Sequence, residues 1–182
     1  LANGIIEAAL FMCSIGLPRE SLVSVHVFLN DIPKMHHVQG LSTINVNSGS
    51  TPDAQTIVVF RKEEVIKVIM HEFCHLLALE PRSNDTLMAD SLGTVMRVEG
   101  VFRPTEAITE LIARVLYSCY VARTRSFSLD VVLQAQFQHA MQNAAKILSF
   151  YGIRRTSDLD SSTIVQSTCA LEYHVLTAAL MY

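Results

Sequence analysis

The segment HEFCH, residues 71–75, holds the side chains of this sequence that are best suited to chemistry. It lies within residues 62–80, whose apolar periodicity predicts a helix. Four residues make little more than one helical turn, so His71 and His75 project from one face and can share a metal ion. Neutral imidazole suits Zn²⁺, and a bound zinc lowers the pKa of its water to about 7. Glu72 lies beside the pair and can take a proton from that water and pass it to a leaving amine.

The alternative interpretation of this motif is two surface histidines and a solvated glutamate on an ordinary helix. The apolar surroundings in the sequence VIKVIMHEFCHLLAL argue against it, because exposed charged groups are seldom set among so many apolar residues. A zinc site needs a third protein ligand. The metzincin pattern HExxHxxGxxH is excluded, since Ala78 and Pro81 occupy its glycine and third histidine positions.

An acidic residue on a later helix is the remaining common source of a third ligand. Glu106 and Glu110 stand four residues apart at the start of a predicted helix and therefore share a face. One of them can bind the metal while the other accepts a hydrogen bond from a ligand imidazole, which fixes the tautomer. Two aspartates remain open as alternative third ligands: Asp85 and Asp90.

The HExxH motif followed by an E-x-x-x-E helix resembles the gluzincins, the HExxH metallopeptidases whose third zinc ligand is a glutamate. Many gluzincins read E-x-x-x-D on the second helix, and others, including bacterial collagenases, read E-G-x-x-E. The resemblance spans residues 71–110 and implies a zinc peptidase acting on a peptide or protein substrate. It also implies a role for each matching residue: zinc ligands His71, His75 and Glu106, general base Glu72, and orienting acid Glu110.

The elements that must position these residues predict an α+β fold, with a small mixed sheet in the N-terminal half and a mostly helical remainder. The predicted strands cover residues 22–29, 42–47 and 55–60, and the stretch 48–53 is rich in turn residues. The predicted helices cover 2–14, 62–80, 85–95, 104–123 and 128–151, and residues 156–160 lead into a last helix that reaches the C-terminus. The alternating strand 42–47 is either an ordinary exposed strand or an edge that pairs with an extended peptide substrate.

Composition excludes several classes of protein. Half of the 182 residues are hydrophobic and 17% are charged, which excludes a disordered chain. The formal net charge of −3 gives no basic excess for nucleic acid. The longest apolar stretch, residues 4–17, is too short to span a membrane and carries Glu7. Four widely spaced cysteines are typical of a reduced, intracellular protein.

The absence of a linker or repeat predicts a single zincin-like domain over residues 1–182. Because the sequence begins at Leu1, we expect it to be a fragment of a longer polypeptide. Two other functions stay open at this point. One is a non-enzymatic structural or interaction domain of a larger assembly that retains the zincin-like fold. The other is a peptidase that acts only on its own parent polypeptide.

Overall fold

The computed structural model describes residues 1–16, 22–31, 46–62, 64–81 and 85–182. These residues confirm the predicted α+β class: the fold is 62% helical, with a small three-stranded mixed sheet in the N-terminal half and a mostly helical remainder. In chain order the elements are α1 (Ala2–Gly16), β1 (Ser24–Asn30), β2 (Gly49–Asp53), β3 (Thr56–Arg61), α2 (Val65–Leu76), α3 (Asp85–Met96), β4 (Val98–Gly100), α4 (Thr105–Arg125), α5 (Leu129–Phe150), a 3₁₀ turn (Thr156–Asp160), β5 (Ile164–Gln166), a π-helical segment (Glu172–Leu176) and α6 (Thr177–Met181).

The chain divides into two compact units that are interleaved along the sequence. The first comprises residues 1–34, 47–80 and 112–133, and the second comprises 35–46, 81–111 and 134–182. Helix α4 is one continuous helix whose first turns belong to the second unit and whose remainder belongs to the first.

In the first unit β3 is the central strand, parallel to β1 and antiparallel to β2. The predictions of β1 and β3 are confirmed, but the prediction of a turn over residues 48–53 is wrong, because most of that stretch is β2. Residues 48–53 have the composition of a turn, but hydrogen bonds to β3 hold most of them in a strand. Local propensity takes no account of such pairing. The register is interrupted between Ser50 and Asp53, the interval that contains Pro52, which has no N–H to donate.

Helix α2 lies against β2 and β3, and α1 packs on α2. The core of this unit is formed by apolar side chains from the two helices and the central strand, among them Met12, Ile57, Val59, Ile69 and Phe73. From Val65 to Cys74 every residue of α2 except Ile66 is buried. The helix that carries the HExxH motif is therefore a core helix, which excludes the interpretation of the motif as an exposed polar face.

The second unit contains a parallel pair of short strands, β4 and β5, which sequence periodicity did not predict. Residues 156–160 do not lead directly into the predicted last helix: they form a 3₁₀ turn, β5 follows, and the helix begins only at Ala170. Gly100 permits this pairing, because it has a φ of 99° and a Cβ there would overlap the carbonyl oxygen of Gln166. Ile153, Ile164 and Leu171 form a core cluster beside the strands.

Residues 42–45 of the strand predicted over 42–47 lie outside the described residues. In the described part of the chain all four cysteines are free thiols. No helix there is both long enough and apolar enough to cross a membrane.

Candidate metal centre

The two histidines of α2 approach each other through the nitrogens that a metal would use. The Nε2 atoms of His71 and His75 lie 3.2 Å apart, and the rings meet edge to face with their centroids 4.9 Å apart. His71 is buried, with 7% of its surface exposed. The helical spacing of four residues accounts for this arrangement, as the sequence predicted.

The end of α2 brings an acidic side chain back to His75. The helix stops at Leu76, four residues before the predicted end, and Ala78 takes a left-handed conformation with φ of 49°. This conformation is costly for alanine, by about 1–2 kcal/mol. The chain reverses there, and Glu80 accepts a hydrogen bond from Nδ1 of His75 at 3.3 Å. A proton on Nδ1 leaves Nε2 of His75 with the lone pair that binds a metal.

The motif glutamate is held by strand β2. Glu72 is buried, and its Oε2 accepts a hydrogen bond from the Thr51 hydroxyl at 2.9 Å. The same hydroxyl lies 3.0 Å from the backbone oxygen of Glu72. Gly49 lies under the carboxylate, where an added Cβ would be only 2.9 Å from Oε1. The sequence did not predict these contacts, since residues 48–53 were expected to be a turn.

Among the later acidic residues whose side chains are described, Glu106 is the one that is grouped with the histidines. One ligand atom from each of His71, His75 and Glu106 lies within 4.8 Å of the other two, and no other such group of three occurs in the described ranges. Glu110, one turn further along α4, is buried. Asp90 is exposed on α3, and the Asp85 side chain lies outside the described part. This grouping is compatible with Glu106 as the third ligand, which stays a prediction.

This donor set suits zinc. Two imidazole nitrogens and one carboxylate oxygen form one of the ligand sets of catalytic zinc sites, which leave a fourth position open. With zinc–nitrogen distances of about 2.0–2.1 Å, neighbouring nitrogens of a tetrahedral site stand about 3.3–3.4 Å apart. The observed separation of 3.2 Å between the Nε2 atoms is close to that value. The residues present thus fit the ion that the motif implies.

A second acidic residue near Glu106 was not singled out from the sequence. Glu172, in the π-helical segment, is fully buried. Its Oε1 accepts a hydrogen bond from the Arg103 backbone N–H at 2.6 Å, and its Oε2 accepts one from Gln166 Nε2 at 2.8 Å. Burial raises the pKa of Glu172 to about 7, and the charge of Glu106 contributes in the same direction. The sequence around Glu172 is that of an ordinary apolar helix, and nothing in it indicates that the carboxyl group is buried and has a raised pKa.

The raised pKa of Glu172 predicts a stability that falls with pH. From about pH 4.5 to about pH 7 the folded chain keeps the proton that the unfolded chain releases, so the free energy of unfolding decreases as pH rises. The contribution is about 3 kcal/mol in total. Urea unfolding from pH 4.5 to 8 should show a loss of this size in the wild type relative to Glu172→Gln. Glu99→Gln, which changes an exposed glutamate of β4, should follow the wild type. Equal slopes in all three proteins would contradict the prediction.

Comparison of the chain with protein-family models, with curated proteins and with solved structures found no match.

Proposed function

We propose that the chain is a zinc-dependent peptidase of gluzincin type. His71, His75 and Glu106 hold the metal, and Glu72 is the general base. The observation that carries the proposal is the pair of Nε2 atoms 3.2 Å apart, one of them on a ring whose Nδ1 is bound to Glu80. Two imidazoles whose Nε2 atoms meet at this distance can direct both lone pairs at one ion, as metal ligands do.

The proposed reaction is hydrolysis of a peptide bond by water. Zinc, when bound, supplies Lewis acidity to the substrate carbonyl and makes water a better nucleophile near neutral pH. The Glu72 carboxylate accepts the proton that water loses as its oxygen bonds to the carbonyl carbon. It then returns that proton to the amide nitrogen as the carbon–nitrogen bond breaks. Glu80 keeps the His75 ring in the tautomer that leaves Nε2 available.

Metal content and peptide cleavage, measured on the same preparations, test this function. We expect about one zinc per chain in the wild type by elemental analysis, because three protein ligands suffice for a catalytic site. A peptide mixture should be cleaved by the zinc-loaded protein, not after treatment with a chelator, and again after zinc is added back. His75→Ala should lose both zinc and cleavage, whereas His26→Ala, an exposed histidine on β1, should lose neither.

A wild type that takes up no zinc when offered the metal would overturn the proposal. Zinc without cleavage of any peptide would instead favour the second candidate function, a non-enzymatic interaction domain. One observation favours that candidate: α1 leaves Ile6 and Leu10, four residues apart on one face, more than half exposed. Exposed apolar patches of this kind are found where a partner binds.

A further inference from the structure

Strand β2 makes contacts with the side chain of the motif glutamate, Glu72, that the HExxH helix alone does not supply. The helix alone fixes the backbone of Glu72 but leaves its side chain with several rotamers. Two residues of β2 reduce that freedom. The Thr51 hydroxyl lies 2.9 Å from Oε2, and Gly49 allows the strand to approach the other oxygen and Cγ of Glu72. All three residues belong to the first compact unit.

Gly49 has a steric role that its neighbours make clear. A Cβ at this position would meet Val68 Cγ1 at 2.8 Å, Glu72 Oε1 at 2.9 Å and Glu72 Cγ at 3.1 Å. Contacts this short between carbon and its neighbours are not tolerated, so one of these side chains would have to move. Val68 is itself buried between α2 and the sheet. The side chain with a polar end, Glu72, is the one we expect to be displaced.

We propose that Thr51 is a positioning residue for the general base, and that Gly49 provides the space in which Thr51 can act. The inference rests on the proposed peptidase function. Thr51 acts through Glu72, because its hydroxyl holds the Glu72 carboxylate against β2. A base held in one orientation does not have to be reordered in each catalytic cycle, and misplacement of such a group lowers kcat rather than substrate binding.

The test separates the hydroxyl of Thr51 from its shape. Thr51→Val removes the hydrogen bond and keeps the volume, and we expect kcat to fall about tenfold or more with KM changed less than about threefold. Thr51→Ser keeps the hydroxyl and should retain kcat to within about threefold. Gly49→Ala should lower kcat in the same way as Thr51→Val. All these variants should still bind zinc at the wild-type stoichiometry.

Two substitutions outside the site serve as matched controls. Thr124→Val removes a hydroxyl that bonds to the Tyr120 carbonyl on the exposed end of α4, and it should leave kcat unchanged. Gly4→Ala adds a Cβ whose nearest neighbours are at 3.6 and 3.8 Å, an ordinary contact distance, and it should also be neutral. A Thr51→Val enzyme with wild-type kcat, or a Thr51→Ser enzyme as slow as Thr51→Val, would overturn the proposal.

A double-mutant cycle on stability distinguishes failure of this inference from failure of the proposed function. The cycle combines Thr51→Val with Glu72→Met, which has a similar length and no carboxylate oxygen. If the hydroxyl holds the carboxylate, the two changes should be coupled by about tenfold in the unfolding equilibrium constant. Additive effects would overturn the inference even for an active enzyme. If the wild type cleaved no peptide, the peptidase function would fail, and with it the role of Thr51 in catalysis, although coupling in the cycle would still establish the contact.

Discussion

Glu72→Gln is expected to lower kcat for peptide hydrolysis by at least about a hundredfold while leaving one zinc per chain. Glutamine has the length of glutamate and keeps an oxygen that can accept from the Thr51 hydroxyl, which lies 2.9 Å from Glu72 Oε2. It cannot accept the proton from water or return it to the amide nitrogen. General acid–base groups contribute about 10²–10⁴ to rate, which sets the size of the expected loss.

The measurement is kcat on a peptide that the wild type cleaves, with zinc determined by elemental analysis on the same sample. Because Glu72 is buried, the free energy of unfolding of the variant must be measured too, to show that the protein is folded. Glu99→Gln makes the same chemical change on an exposed strand residue and should retain full activity. Full activity in Glu72→Gln would show that the proposed mechanism is wrong.

The sequence predicted those parts of the site whose positions depend only on the periodicity of a single helix. The spacing of His71 and His75 determines their relative position once the segment is helical, and the apolar pattern from 62 to 80 is strong enough to establish the helix. The same reasoning places Glu106 at the start of a helix, two residues after Pro104. Its proximity to the histidines is expected from the need for a third zinc ligand and from the resemblance to gluzincins, because helical spacing carries no information about distance between helices.

The contacts that the sequence did not predict depend on where the chain turns and pairs. The contact of Thr51 with Glu72 requires residues 49–53 to form a strand, and that strand exists because β3 supplies its hydrogen-bond partners. The contact of Glu80 with His75 requires α2 to end at Leu76 and the chain to reverse at Ala78, a residue that disfavours the left-handed conformation it adopts there. Both errors have one cause, which is that tertiary pairing overrides local propensity.

Glu106 and Glu110 should differ sharply in their effect on zinc affinity. Glu106 offers a carboxylate oxygen within 4.8 Å of both histidine ligand atoms, so Glu106→Gln removes a charged ligand from the site. The resemblance to gluzincins gives Glu110 the outer role of orienting a histidine, and loss of such partners costs about 10–100-fold in affinity. We therefore expect Glu106→Gln to weaken zinc binding by more than about a hundredfold. Glu110→Gln should weaken it by no more than about a hundredfold.

Competition between each protein and a chromophoric zinc chelator at pH 7.5 gives the affinities directly. Because Glu110 is buried, its substitution can also lower stability, and only affinities measured below the onset of unfolding are comparable. Glu7→Gln, an exposed glutamate of α1, is the control for loss of one negative charge from a chain of net charge −3. If Glu110→Gln weakened zinc binding more than Glu106→Gln, Glu110 would be the third ligand. Unchanged affinity in both variants would indicate that the third ligand is one of the two aspartates of α3. Either result would leave the histidine pair intact, since its 3.2 Å spacing is set within α2 alone.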